Sequence, residues 1–189
     1  MTATPLILAS NSPRRKQLLQ EAGFDFEVKT IPFEEHFPSE LSADKVAEYL
    51  AIEKSKAHRD VFPNATIITA DTVVVFMDTA LGKPKDKKEA FKTLKLLSGK
   101  IHQVYSGVCI SNEKKSISFS CATEVKFKEL TEDEISQYID QYQPFDKAGS
   151  YGIQEWIGLI GIEWINGSYF NVVGLPVHEV HTVLKRDFN

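Results

Sequence analysis

An α/β protein with a mixed sheet is the fold class this chain predicts, on three observations. Short apolar runs alternate with helical segments in the first half, strand-like runs pair around a polar turn in the second half, and the composition is globular. Of 189 residues, 42% are hydrophobic, 25% charged and 11% aromatic, which excludes a disordered or collagen-like chain. A chain of this size buries roughly 70% of its unfolded surface, enough for one core, so a single domain over residues 1–189 is expected.

The elements follow in order. The run Leu6-Ile7-Leu8-Ala9 reads as a buried strand. Ser12 can cap a following helix and Pro13 suits its first position, giving a helix over 13–22 that stops at Gly23. Residues 24–29 alternate like a strand, 31–41 form a loop rich in acidic residues and proline, and 43–59 form a second helix. Residues 66–76 are a strand with Asp71 in its middle, and Gly82-Lys83-Pro84 breaks the chain before a helix over 87–97. Strands at 103–110 and 116–128 flank the turn Asn112-Glu113-Lys114. Thr131 to Glu134 form a capping box for a helix to 142. A loop over 143–149, a strand-like region over 156–173 around Asn166-Gly167, and a helix from Pro176 to about 185 complete the chain.

Several classes of function are excluded early. With 22 Lys and Arg against 26 Asp and Glu, the net charge is −4, so no basic footprint for nucleic acid exists. An anionic ligand must be met by a local cluster of cations. No apolar stretch reaches membrane-spanning length and no signal-peptide layout opens the chain, so a cytoplasmic protein without a membrane partner is expected. Cys109 and Cys121 read as reduced, buried thiols. The histidines at 36, 58, 102, 178 and 181 share no ligand spacing, and no Gly-x-Ser-x-Gly or Cys–His arrangement supports acyl transfer.

Four features carry chemistry. Arg14, Arg15 and Lys16 fill a helix's first turn, where the dipole favours anions instead. Either the side chains splay into water, or an oxyanion sits among them with the hydroxyls of Ser10 and Ser12. Lys54 lies inside an apolar stripe with Ala43, Ala47, Leu50 and Ala57, as a snorkelling surface lysine or as a cation facing a cleft. Asp71 interrupts an apolar strand, where a carboxylate needs a salt bridge, a cap or a catalytic and metal-binding role. Glu34 and Glu35 can supply a second carboxylate, and such oxygen ligands prefer Mg²⁺ or Mn²⁺. Lys83, in a rigid turn, and Lys147, in Asp146-Lys147-Ala148-Gly149, are exposed lysines or further cations. Together these groups are the inventory that polyphosphate hydrolysis requires: cations on phosphate oxygens, carboxylates for a metal, and a proton acceptor for water.

The blocks LASNSPRRKQLL, ADTVV, Gly-Lys-Pro, LSGKIHQVYSGV, FDKAGSYGIQ and INGSYFNVVGLP occur in this order across nearly the whole chain. In these the sequence resembles the Maf family of nucleoside triphosphate pyrophosphatases. The resemblance implies a Maf/ITPase-like α/β architecture: a long twisted mixed sheet flanked by helices, two lobes and a central cleft. It also implies hydrolysis of a nucleoside triphosphate to the monophosphate and pyrophosphate with Mg²⁺ or Mn²⁺, and a homodimer. By motif, Arg14 and Arg15 correspond to phosphate-binding arginines with Ser10 beside them. Asp71 corresponds to the proton acceptor, Thr72 to a residue tied to substrate choice, Glu35 to a metal-associated loop carboxylate, and Lys54 and Lys83 to cleft lysines.

Gln154 carries the expected base preference. Its amide can accept from a base N3–H while donating to the adjacent carbonyl, a pair that uracil and thymine offer and cytosine does not. Gly-Ile-Gln resembles the subfamily acting on dTTP and UTP, with 7-methyl-GTP hydrolysis and a non-catalytic nucleotide-binding regulator of cell division as rivals. The sequence departs from the family pattern at Glu155-Trp156, where a glycine usually follows the glutamine, and at Ser106, where threonine is more usual.

Overall fold

The strand β3 (Thr66–Phe76) organises the molecule, whose computed structural model describes residues 4–188. Before it come β1 (Leu6–Leu8), α1 (Pro13–Glu21), β2 (Glu27–Val28) and α2 (Ala43–Val61). After it come β4 (Thr79–Leu81), α3 (Lys87–Leu97), β5 (Ile101–Ser111), β6 (Ser116–Phe127) and α4 (Glu132–Tyr142). The chain closes with α5 (Trp156–Gly161), β7 (Ile162–Asn166), α6 (Tyr169–Val173) and α7 (Val177–Asp187). Seven strands form one sheet in the order β2-β1-β3-β5-β6-β7, with β4 also on β3. The pairs β1–β2 and β1–β3 are parallel and the rest antiparallel, so the sheet is mixed, as the sequence predicts.

One edge of β3 is paired with β5 over residues 67–75. The other edge is divided: β1 takes residues 66–68 and β4 takes 74–76. Residues 69–73 lie between these partners, and Asp71 is at the centre of that opening. A crevice at the carboxyl end of a strand, where the sheet changes its neighbours, is where open α/β sheets bind ligands.

Helix α2 packs across β3 and β5, burying Val46, Ala47, Leu50 and Ala51. It approaches so closely at Gly107 that a Cβ there would lie 2.2 Å from the Glu48 backbone nitrogen. Glycine at 107 therefore sets the depth of the helix that carries Lys54. Around it, α1 and α7 cover one apolar cluster with β1 and β3, and α3 and α4 cover another with β5, β6 and Tyr151.

Caps and turns match their local chemistry. Ser12 accepts from the Arg15 N–H, Thr131 and Glu134 form the reciprocal box, and Asn112 Oδ1 accepts from the N–H groups of Lys114 and Lys115. Several expectations need correction. Residues 24–29 pair only at Glu27–Val28, and β4 is an additional strand. The β3–β4 hairpin turns on Met77 and Asp78, both at positive φ, and methionine is not the residue that announces such a turn. Residues 156–173 are not one strand-like region but α5, β7 and α6. Trp and Ile favour strands intrinsically, yet docking Ile157 into the core against neighbours such as Phe127 selects a helical turn. Both cysteines are unpaired thiols as expected, but Cys121 is only half-buried.

His102 sits in the core, its Nε2 at 2.8 Å from the Tyr151 hydroxyl and its Nδ1 buried without a partner. Burial pushes its pKa down to about 4. The folded protein therefore holds it neutral while the unfolded chain protonates near pH 6.5, so its stabilisation is complete above that pH and lost as pH falls toward 4. The expected loss is about 3 kcal/mol across that window. Urea midpoints measured against pH check this: His102→Gln should flatten the wild-type slope over the same interval.

Candidate active site

Two adjoining hollows open at the interrupted edge of β3. Arg14, Arg15, Glu35, Lys54, Lys83 and Asp146 line both. The first adds Asp71, Thr72, Lys147, Tyr151, Gly152 and Gln154. The second adds Ser10 and the loop carrying Phe33. All nine candidate residues predicted from the sequence thus meet in one region, with Gln154 confined to one hollow and Ser10 to the other. The first hollow has five cationic side chains against three carboxylates, so it is locally positive in a chain of charge −4.

Lys54 is the hub. From α2 its Nζ donates to Asp71 Oδ2 at 2.5 Å and to Glu35 Oε1 at 2.7 Å, and it lies 5.9 Å from the centre of the Phe33 ring. Its side chain is 14% exposed and that of Asp71 11%, so the mid-stripe lysine is a paired cleft cation rather than a snorkelling one. Asp71 Oδ1 accepts from the Thr72 N–H at 2.7 Å. Each carboxylate oxygen of Asp71 keeps further acceptor capacity.

The paired arginines divide their work. Arg14 pairs with Asp146 Oδ2 at 2.8 Å and faces both hollows. Arg15 turns inward: Nε donates to the Gly174 carbonyl, one terminal nitrogen to the Ala70 carbonyl and Ser10 Oγ, and the other to Thr72 Oγ1. The Ala70 carbonyl lies in the opening of β3, so Arg15 fills the place of a missing ladder partner. Burial lowers its pKa, which Asp71 partly restores. Lys16, the third cation of the run, is exposed.

Ser10 Oγ accepts from the Ser12 N–H and from Arg15, which makes it an anchor for the loop before α1. Thr72 Oγ1 is likewise engaged, 2.8 Å from Ser106 Oγ. Lys83 stands exposed at the rim, with no ion pair among the described residues. Its turn is docked by the Gly149 N–H donating to the Gly82 carbonyl. Gly149 has φ 67°, and a Cβ there would lie 2.6 Å from Val74 Cγ2. Gln154 is exposed at the mouth of the first hollow.

Sequence reasoning missed Asp146, which lines both hollows. Lys147, only 8% exposed, donates to Asp146 Oδ1 at 2.7 Å and pairs with Glu155 Oε1 at 3.2 Å. Burial pushes the Asp146 carboxyl up, but hydrogen bonds from Lys147 and Arg14 outweigh it and hold its pKa at about 2. The alternating charges in Asp146-Lys147 were the available signal; Arg14, the partner of Asp146, lies far away in sequence.

Glu35 and Asp71 are two carboxylates brought together on Lys54 Nζ, and no group of three or more His, Cys, Asp and Glu among the described residues forms a closed metal cage. Such a donor set fits Mg²⁺ or Mn²⁺ bound through one or two carboxylates with phosphate oxygens and water, and does not fit structural zinc.

Fold and cleft together define an α/β protein with a mixed-charge ligand cleft at the point where its sheet changes partners. The chain belongs to the family of Maf-like proteins, whose pattern matches residues 5–187. It is 52% identical over 183 residues to a protein of Phocaeicola vulgatus named dTTP/UTP pyrophosphatase, covering 96% of this chain and 95% of that one. A Bacteroides fragilis protein of the same name is 48% identical over 183 residues, with the same coverage of 96% and 95%. Among solved structures, a HAM1 protein from Coxiella burnetii superposes with a TM-score of 0.51 at 16% identity, over 96% of this chain and 98% of that one, a likeness of fold. No helix among the described residues is long and apolar enough to cross a membrane.

Proposed function

We propose that this chain is a metal-dependent nucleoside triphosphate pyrophosphatase that converts dTTP and UTP to the monophosphate and pyrophosphate. The observation that carries this reading is the meeting of Arg14, Lys54, Lys83 and Lys147 with Glu35 and Asp71 at one opening of the sheet. The names carried by the relatives supply the choice of bond and base.

In this reading the triphosphate lies along the wall shared by the two hollows, with Arg14, Lys54 and Lys83 drawing its oxygens. The base sits in the first hollow, where Gln154 pairs with the N3–H and a neighbouring carbonyl of uracil or thymine. Asp71 accepts a proton as water attacks the α-phosphorus. The new bond joins the water oxygen to that phosphorus, and the α–β phosphoanhydride breaks to release pyrophosphate. Lys54, between Asp71 and Glu35, balances the charge that gathers on the phosphoryl oxygens. Glu35 and Asp71 would hold Mg²⁺ or Mn²⁺, which when bound neutralises phosphate oxygens and polarises the phosphoryl group. Arg15 braces the cleft floor, and Ser10 and Thr72 act through it.

The same reading takes the chain as one domain of two lobes on a single sheet, cytoplasmic and homodimeric, with no nucleic-acid partner. The test is a panel of nucleoside triphosphates, 7-methyl-GTP included, incubated with Mg²⁺ or Mn²⁺ and scored for monophosphate and pyrophosphate. Pyrophosphate should form from dTTP and UTP well ahead of dCTP and 7-methyl-GTP. Nucleotide binding without metal-dependent pyrophosphate release refutes the enzymatic reading.

A further inference from the structure

Glu155 directly follows Gln154, and its surroundings give it a task. It is the N-cap residue of α5, yet its side chain makes no capping hydrogen bond. Instead Oε2 accepts from the Tyr138 hydroxyl of α4, and Oε1 pairs with Lys147 at 3.2 Å. The same Tyr138 oxygen accepts from the Gly152 N–H at 3.0 Å. Tyr138 is fully buried and Glu155 has a side-chain exposure of 18%, so both are held at the cost of desolvation, which their mutual hydrogen bond offsets.

One buried hydroxyl thus grips the chain at both 152 and 155, the positions bracketing Gln154. From Glu155 the polar contacts continue through Lys147 and Asp146 to Arg14. Burial and the Glu155 carboxylate push the Tyr138 pKa up, which keeps its hydroxyl a donor throughout the neutral range. Residues 152–155 are therefore tied through polar contacts to Arg14 at the shared wall of the two hollows.

We propose that Tyr138 and Glu155 are positioning residues for base recognition, holding residues 152–155 so that Gln154 meets the nucleobase in fixed register with the phosphate-binding cations. The inference rests on the reading of Gln154 as the base reader. A displacement of about 1 Å at a recognition group is enough to cost on the order of 100-fold in rate.

The experiment measures kcat and KM for dTTP and dCTP with wild type, Gln154→Ala, Tyr138→Phe, Glu155→Gln and Glu155→Leu, each checked by Tm. Tyr138→Phe and Glu155→Leu should each cut the dTTP-over-dCTP ratio of kcat/KM by about 10–100-fold, with the loss seen in KM more than in kcat. Glu155→Gln, which keeps an acceptor for Tyr138, should recover part of that loss. The double variant Tyr138→Phe/Glu155→Leu should be no worse than the more damaging single one, because the two act as a unit. Equal losses for both nucleotides, with the ratio unchanged, mean a merely structural role and overturn the proposal. An unchanged ratio in Gln154→Ala overturns the base-reader assignment and the clamp with it, and absent dTTP hydrolysis in wild type overturns the functional reading itself. Should Tyr138→Phe fail to fold, the two Glu155 variants decide alone.

Discussion

Asp71→Asn is expected to lower pyrophosphate release from dTTP by about 10²–10⁴-fold, the range over which general-base catalysis operates. The amide keeps the shape of the carboxylate and one oxygen that can accept from Lys54 or from the Thr72 N–H. Glu35 still pairs with Lys54, so the lysine is not stranded in the cleft. The substitution therefore removes basicity while disturbing packing little, and Tm should fall by only a few degrees. Single-turnover kinetics against Mn²⁺ concentration separate the two duties assigned to Asp71. Loss of metal holding alone is recovered by raising Mn²⁺, whereas loss of proton acceptance is not. Turnover within about threefold of wild type, far below that catalytic range, removes Asp71 from the mechanism.

Arg15→Lys is expected to lower stability by about 3 kcal/mol, since hydrogen bonds from charged donors are worth about 1.5–3 kcal/mol each and lysine cannot reproduce the fork. Arg15 reaches the Gly174 and Ala70 carbonyls, Thr72 and Ser10 from one planar group. An ammonium at the end of a flexible stem satisfies one or two of these and leaves the rest short. For a chain of this length that corresponds to a fall in Tm of about 6–12 °C. Arg14→Lys should behave differently. The Arg14–Asp146 pair is partly exposed, 23% and 56% by side chain, where such pairs contribute about 0–1 kcal/mol. Its cost should fall on nucleotide affinity, with Tm nearly unchanged. Thermal melts with and without dTTP distinguish the two arginines, and a reversed pattern exchanges their roles.

Most of the fold was legible because its signals are local. Ser12-Pro13, the capping box at Thr131 and the Asn112 turn each name a boundary through groups within three residues of one another. The candidate site was legible for the same reason that charged residues in apolar runs are rare: Asp71 and Lys54 stood out against their own stripes. What failed was non-local. Residues 156–173 carry strand-favouring side chains that the core bends into two short helices around β7, and the Met77-Asp78 turn is set by the register of β3 and β4.

The order of the motifs, the charges and the periodicities determined by themselves that this is an α/β protein of the Maf family with a set of cations and carboxylates fit for a polyphosphate. Tertiary structure alone decided how those charges pair. It bonded Arg15 to the Ala70 and Gly174 carbonyls and paired Arg14 with Asp146, set Lys54 between two carboxylates, and bound Glu155 to Tyr138. The physical reason is reach. Caps and helical stripes are written within a turn or two of chain, whereas a side chain's partner depends on which distant backbone the sheet brings to within a hydrogen bond of it.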